Sequence, residues 1–236
     1  MAGQTETDDV RWGLGDAALG FLFANVLAIL LAPVAYWATG QSLDTETNRV
    51  PLSTVALMQV PYSGFMLVAA VVASRRKGHG PVADFRIWMR WTDVPLGAVL
   101  GVVTQYAATL LYLPLVRWDV ITTEEIERPA RELTDRAHGA GVVLLVLMVA
   151  LVAPVVEEIF FRGLVLRSIE RRTGTNWAIV VSAALFGAAH LEPLQFPALF
   201  VFGLVAAVLT TRTGRLGPAI WAHVAFNSVA VVNLVQ

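Results

Sequence analysis

The chain has 236 residues, 56% hydrophobic and only 15% charged, against about 25% charged in soluble domains. A net charge of −1 leaves no excess of Lys and Arg to neutralise phosphates, which excludes a nucleic-acid binder. Cysteine is absent, so disulfides, thiolate metal sites and thiol nucleophiles are excluded together.

A membrane helix needs roughly 20 predominantly apolar residues. At that length the sequence predicts spans near 15–39, 52–74, 94–116, 141–166, 177–191, 196–211 and 217–235, the fifth and sixth being short. The first is not expected to be a cleaved signal peptide, because its flank (Glu6, Asp8, Asp9) is acidic and its apolar run too long. The fold expected is an all-α polytopic membrane protein of about seven helices, one membrane domain over 1–236.

Lys and Arg set the expected orientation. A cytoplasmic N-terminus puts Arg11, Arg75, Arg76, Lys77, Arg86, Arg90, Arg162, Arg167, Arg171, Arg172, Arg212 and Arg215 inside, and only Arg49, Arg117, Arg128, Arg131 and Arg136 outside. Between the second and third spans, Asp84 to Trp91 alternates apolar or aromatic with basic residues, as an interfacial segment does, before Asp93 caps the third span. Thr122 to Ala137 reads as an amphipathic surface helix with a Thr122–Glu125 capping box, and Pro129 predicts a kink or late start there. The single lysine among 17 basic residues suits a GC-rich prokaryotic genome.

Charged groups inside a span cost about 2.5–3.5 kcal/mol on insertion scales, so each is a functional candidate. Late in the fourth span stand Glu157, Glu158 and Arg162. Adjacent residues point about 100° apart on a helix, so the two carboxylates cannot do the same job. Glu158 and Arg162, four apart, suit an ion pair, which leaves Glu157 for chemistry. The bland alternative is that all three snorkel to an interface. The fifth span carries Phe186 and His190, and the last carries His223 and Asn227 on one face; each could be a satisfied interhelical contact. Together, a carboxylate, two imidazoles and an amide facing one cavity open to the cytoplasm supply a base, a water-orienting group and oxyanion donors.

Glu-Glu-x-x-x-Arg, Phe-x-x-x-His and His-x-x-x-Asn, in that order on separate apolar segments, resemble the CAAX-protease and bacteriocin-processing (CPBP, or Abi) family, which includes the type II CAAX prenyl endopeptidases. The resemblance covers 140–235 and implies an intramembrane endopeptidase with its active-site cavity among the C-terminal four helices. It implies Glu157 as general base, His190 as its water-holding partner, and His223 with Asn227 as the oxyanion hole. Glu158 and Arg162 are implied to support the site, and Phe186 to pack beneath it. No cofactor is favoured; zinc on Glu157, His190 and His223 is the alternative. The implied substrate is a membrane-associated peptide or protein at the lipid bilayer, and the implied location is the bacterial inner membrane.

Competing chemistries fit less well. Gly13-Leu14-Gly15-Asp16 matches the Gly-x-Gly-Asp of aspartyl intramembrane proteases, but no second span offers a partner aspartate. No Gly-x-Ser-Gly or Gly-x-Ser-x-Gly occurs for a serine protease. A small transporter using Glu, His and Arg as a proton relay, or a non-catalytic scaffold, is the alternative from another class. Against these stand the missing inverted repeat and the complete motif set.

Overall fold

The computed structural model describes residues 10–43, 50–135 and 137–235, and every regular element among them is helical. Helices α1 (Leu14–Ala38), α2 (Leu52–Lys77), α3 (Pro81–Phe85), α4 (Asp93–Arg117) and α5 (Thr123–Thr134) precede a long helix, α6 (Ala140–Thr173). Then follow α7 (Thr175–Ala189), α8 (Phe196–Thr213) and α9 (Gly217–Val235). Each of the seven expected apolar segments is a helix. Five (α1, α2, α4, α6 and α8) are long and apolar enough to cross a membrane, whereas α7, at 15 residues, is shorter than a span. The protein is a multi-pass membrane protein. Glu6, Asp8, Asp9, Arg49 and Arg136 lie outside the described residues.

Helix α1 buries small residues and exposes large ones, as lipid solvation dictates. Phe23, Ile29 and Leu30 are exposed on α1, whereas Ala17, Gly20 and Ala24 form its buried stripe. Lipid tails are as apolar as Leu, so close backbone approach drives association instead. The tightest seam joins α4 to α9. A Cβ on Gly97 would lie 2.6 Å from Pro218 O, and one on Gly101 would lie 2.9 Å from Ala225 Cβ and collide with the Ala222 carbonyl. Gly101→Leu is therefore expected to cost about 1–3 kcal/mol through overpacking, and to displace the α9 turn that carries His223. Gly64→Leu, at a site with open space around it, is the control. Unfolding midpoints in detergent read the difference.

Ion pairs and caps gather one set of helix ends. Asp16 accepts from Gly13 N and pairs with Lys77 at 2.6 Å, a structural occupation of the one aspartate in Gly-x-Gly-Asp. Arg11 N donates to Lys77 O, and Arg171 donates to the Trp12 carbonyl and lies over its ring. Asp93, expected to cap α4, is instead its first helical residue, with Thr92 at the N-cap; its carboxylate accepts from Arg90 N and receives Arg215 from the α8–α9 turn at 2.5 Å. That carboxylate holds the Arg215 guanidinium above its ordinary pKa. Arg11, Lys77, Arg171 and Arg215 are thus tied to helix ends, whereas Arg162 is fully buried within α6 and belongs to no loop.

Between α2 and α4, α3 drops Phe85 fully into the core while Trp88, Met89 and Trp91 stay exposed, the interfacial pattern expected. The Thr122–Glu125 capping box closes in both directions, and those hydrogen bonds hold the Glu125 carboxyl below the usual range. Pro129 sits inside α5, neither delaying nor ending it. At the opposite end of the bundle, Tyr112 of α4 donates to Leu194 O and accepts from Ala198 N, tying down the α7–α8 connection.

Candidate active site

The long helix α6 is not α-helical throughout. Val146–Val152 and Glu158–Val165 are wound as π-helix, flanking a short α stretch with Pro154 and Glu157. In the first of these turns Ala153 N donates to Met148 O, the i→i+5 pattern. The next bond in that ladder would run from residue 154 to Val149 O, but proline has no N–H. Asn227 supplies the missing donor: its Nδ2 reaches Val149 O at 2.8 Å. Asn227 therefore has a structural task that its spacing from His223 did not disclose. One of its two amide hydrogens is committed, and the other remains.

The two glutamates separate as expected. Glu158 and Arg162 are both fully buried, with Arg162 Nη1 donating to Glu158 Oε1 at 3.1 Å. Snorkelling is thereby ruled out for this pair. Arg162 also donates to Gly203 O at 3.3 Å, and its guanidinium lies 4.4 Å over the Phe186 ring. Glu157 keeps 17% of its side chain exposed.

His223 lies between the two carboxylates. Its Nδ1 is 2.8 Å from Glu158 Oε1, and its Nε2 is 3.8 Å from Glu157 Oε2. An ionised Glu158 can only accept, so Nδ1 carries the hydrogen and the ring's tilt is set. The arrangement copies a carboxylate orienting an imidazole whose other nitrogen faces the chemistry.

His190 caps the C-terminus of α7, and its Nδ1 bonds the Phe186 carbonyl at 2.9 Å, leaving Nε2 uncommitted. Phe186 is more than packing beneath the site: its ring meets His190 at 4.9 Å and His223 at 5.7 Å, edge-on, joining the two histidines through one aromatic face. Phe202 of α8, which lacks any motif, stacks on His223 at 4.5 Å and on Phe226 at 4.7 Å. A buried aromatic on an apolar helix carries no sequence signal that separates it from ordinary core.

Among the described residues no three His, Cys, Asp or Glu side chains converge closely enough to hold a metal ion. Glu158 engages His223 Nδ1 and the Phe186 carbonyl engages His190 Nδ1, so each imidazole keeps its Nε2, and 3.8 Å separates Glu157 from His223.

Comparison with known proteins bears on the same helices. Residues 139–229 match the family model of type II CAAX prenyl endopeptidase Rce1-like proteins. This region is thus similar to the family that the three motifs resemble. Over 92 residues the chain is 29% identical to a Bacillus subtilis protein described as "Putative membrane peptidase YdiL". That alignment covers 39% of this chain and 38% of the relative, so the chain spans well under half the length of the curated protein it matches. No solved structure matches. The matched region runs from α6 into α9 and takes in every residue of the glutamate–histidine cluster, whereas α1 to α5 lie outside the match.

Proposed function

We propose that the protein is an intramembrane endopeptidase that hydrolyses a peptide bond of a membrane-associated peptide or protein. The observation that supports this most directly is His223 suspended between Glu157 and Glu158, with Arg162 offsetting the buried Glu158 charge. Structural ion pairs do not need a second carboxylate, partly accessible, beside the same imidazole.

In this mechanism Glu157 takes a proton from water as the water oxygen attacks the scissile carbonyl carbon. The carbonyl π electrons move to oxygen. The oxyanion is met by the uncommitted Asn227 hydrogen and by His223 Nε2–H in the doubly protonated ring, a form that also brings the cluster of two carboxylates, Arg162 and His223 to zero net charge. His190 Nε2 orients the water. As the tetrahedral intermediate collapses, the C–N bond breaks and the Glu157 proton passes to the departing amine. The lack, among the described residues, of three converging His, Cys, Asp or Glu side chains favours a metal-free route. The crowding of Lys and Arg at one bundle end supports a cytoplasmic N-terminus in a bacterial inner membrane.

The test is cleavage of fluorogenic peptides, with and without a membrane-anchoring lipid, by the full chain in detergent. Activity is expected to be unchanged by zinc chelators. Loss on chelation with recovery on adding zinc would overturn the metal-free route and make Glu157, His190 and His223 ligands. Failure to cleave any membrane-anchored peptide would favour the scaffold.

A further inference from the structure

A polar cavity lies at the basic end of the bundle, away from the glutamate–histidine cluster. It encloses about 430 Å³ between the α3–α4 connection, the end of α6 and the end of α8. Three guanidiniums line it, those of Arg86, Arg167 and Arg171. Arg167 Nε and Nη2 are buried with no hydrogen-bond partner, although guanidinium N–H groups are costly to leave unpaired. Opposite, Thr210 is 1% exposed and its Oγ1 likewise has no partner. Neighbouring Thr211 shows the ordinary alternative, its hydroxyl bonding the Ala207 carbonyl one turn back.

The acids that share the cavity wall are already engaged. Asp84 accepts from Trp12 Nε1 at 2.9 Å and from Ser74 Oγ at 2.5 Å. Glu170 accepts from Thr175 Oγ1 at 2.8 Å. Arg171 is spent on Trp12. The backbone supports the arrangement: Arg86 is held in the left-handed region (φ 52°), and its carbonyl accepts from Leu216 N. What remains unmatched around the cavity is two cations and a buried hydroxyl, a donor set that suits a tetrahedral oxyanion.

We propose that this cavity binds a phosphate group, either a phospholipid headgroup or free phosphate, held by Arg86, Arg167 and the Thr210 hydroxyl. The site is independent of the proteolytic reading, since none of its residues touches Glu157 or the two histidines.

The test is calorimetric titration of the full chain in a neutral detergent with sodium phosphate and, separately, with dihexanoyl phosphatidylglycerol. Saturable binding is expected for at least one of them, weakened at least tenfold by Arg167→Gln and by Arg86→Gln, and several-fold by Thr210→Val. Binding of the lipid alone assigns a headgroup; binding of phosphate, with competition between the two, assigns the free ion. If neither ligand saturates, or if affinity survives all three substitutions, the proposal is overturned. Arg86 is exposed at a turn, so its variant remains decisive should Arg167→Gln fail to fold.

Discussion

Glu157→Gln is expected to insert, purify and unfold like the parent, and to cleave about 10²–10⁴-fold more slowly, the usual contribution of a positioned general base. The carboxamide has the carboxylate's shape but cannot accept a proton from water. The loss should fall on kcat with KM little changed, because Glu157 supports no substrate contact in the proposed mechanism. The side chain is also the partly accessible member of the cluster, 3.8 Å from His223 Nε2, so its neutralisation leaves the buried Glu158–Arg162 pair intact. Steady-state cleavage of a membrane-anchored fluorogenic peptide measures this. Parental rates in a folded Gln variant would remove Glu157 as the base.

The second large effect is on stability and comes from Glu158 and Arg162. Removing one partner of a buried ion pair costs about 3–5 kcal/mol, because the other charge is left without compensation. Glu158→Met strands the Arg162 guanidinium among Phe186 and Phe202; Arg162→Met leaves Glu158 with His223 alone. Either single variant is expected to accumulate poorly and unfold at much lower denaturant. The double variant should recover most of the lost stability, since no unpaired charge remains, while staying inactive because His223 Nδ1 has lost the acceptor that fixes its ring. A double-mutant cycle of unfolding free energies in detergent checks this. Additive losses in the double variant would show that the pair is not coupled. Recovery of cleavage would show that Glu158 does not position His223.

Which parts of this were legible beforehand follows from what each signal depends on. Helix positions were readable because hydrocarbon solvation acts on each segment separately: all seven apolar runs are helices, five of them long and apolar enough to cross a membrane. The Glu158–Arg162 pair was readable because it is local, one turn apart. The Thr122–Glu125 box was readable for the same reason. The motifs in α6, α7 and α9 pointed to one cavity, and Glu157, Glu158, Arg162, Phe186 and His223 do meet. His190 was expected deeper in a span; the short α7 puts it at a helix end, bonded to Phe186 O.

The sequence by itself determined the membrane class, the helical segments and the residue types available for chemistry, because hydropathy and short-range spacing are properties of neighbouring residues. Only the tertiary structure decided how those residues are used. Proline at 154 leaves the Val149 carbonyl without its backbone donor, and Asn227 fills the gap from 78 residues away. His223 is oriented by Glu158 across 65 residues, and Arg215 finds Asp93 across 122. A buried polar atom must find a partner, but which one it finds depends on helix packing, and that packing rests on small residues such as Gly101 whose role is invisible until a neighbouring backbone lies against them.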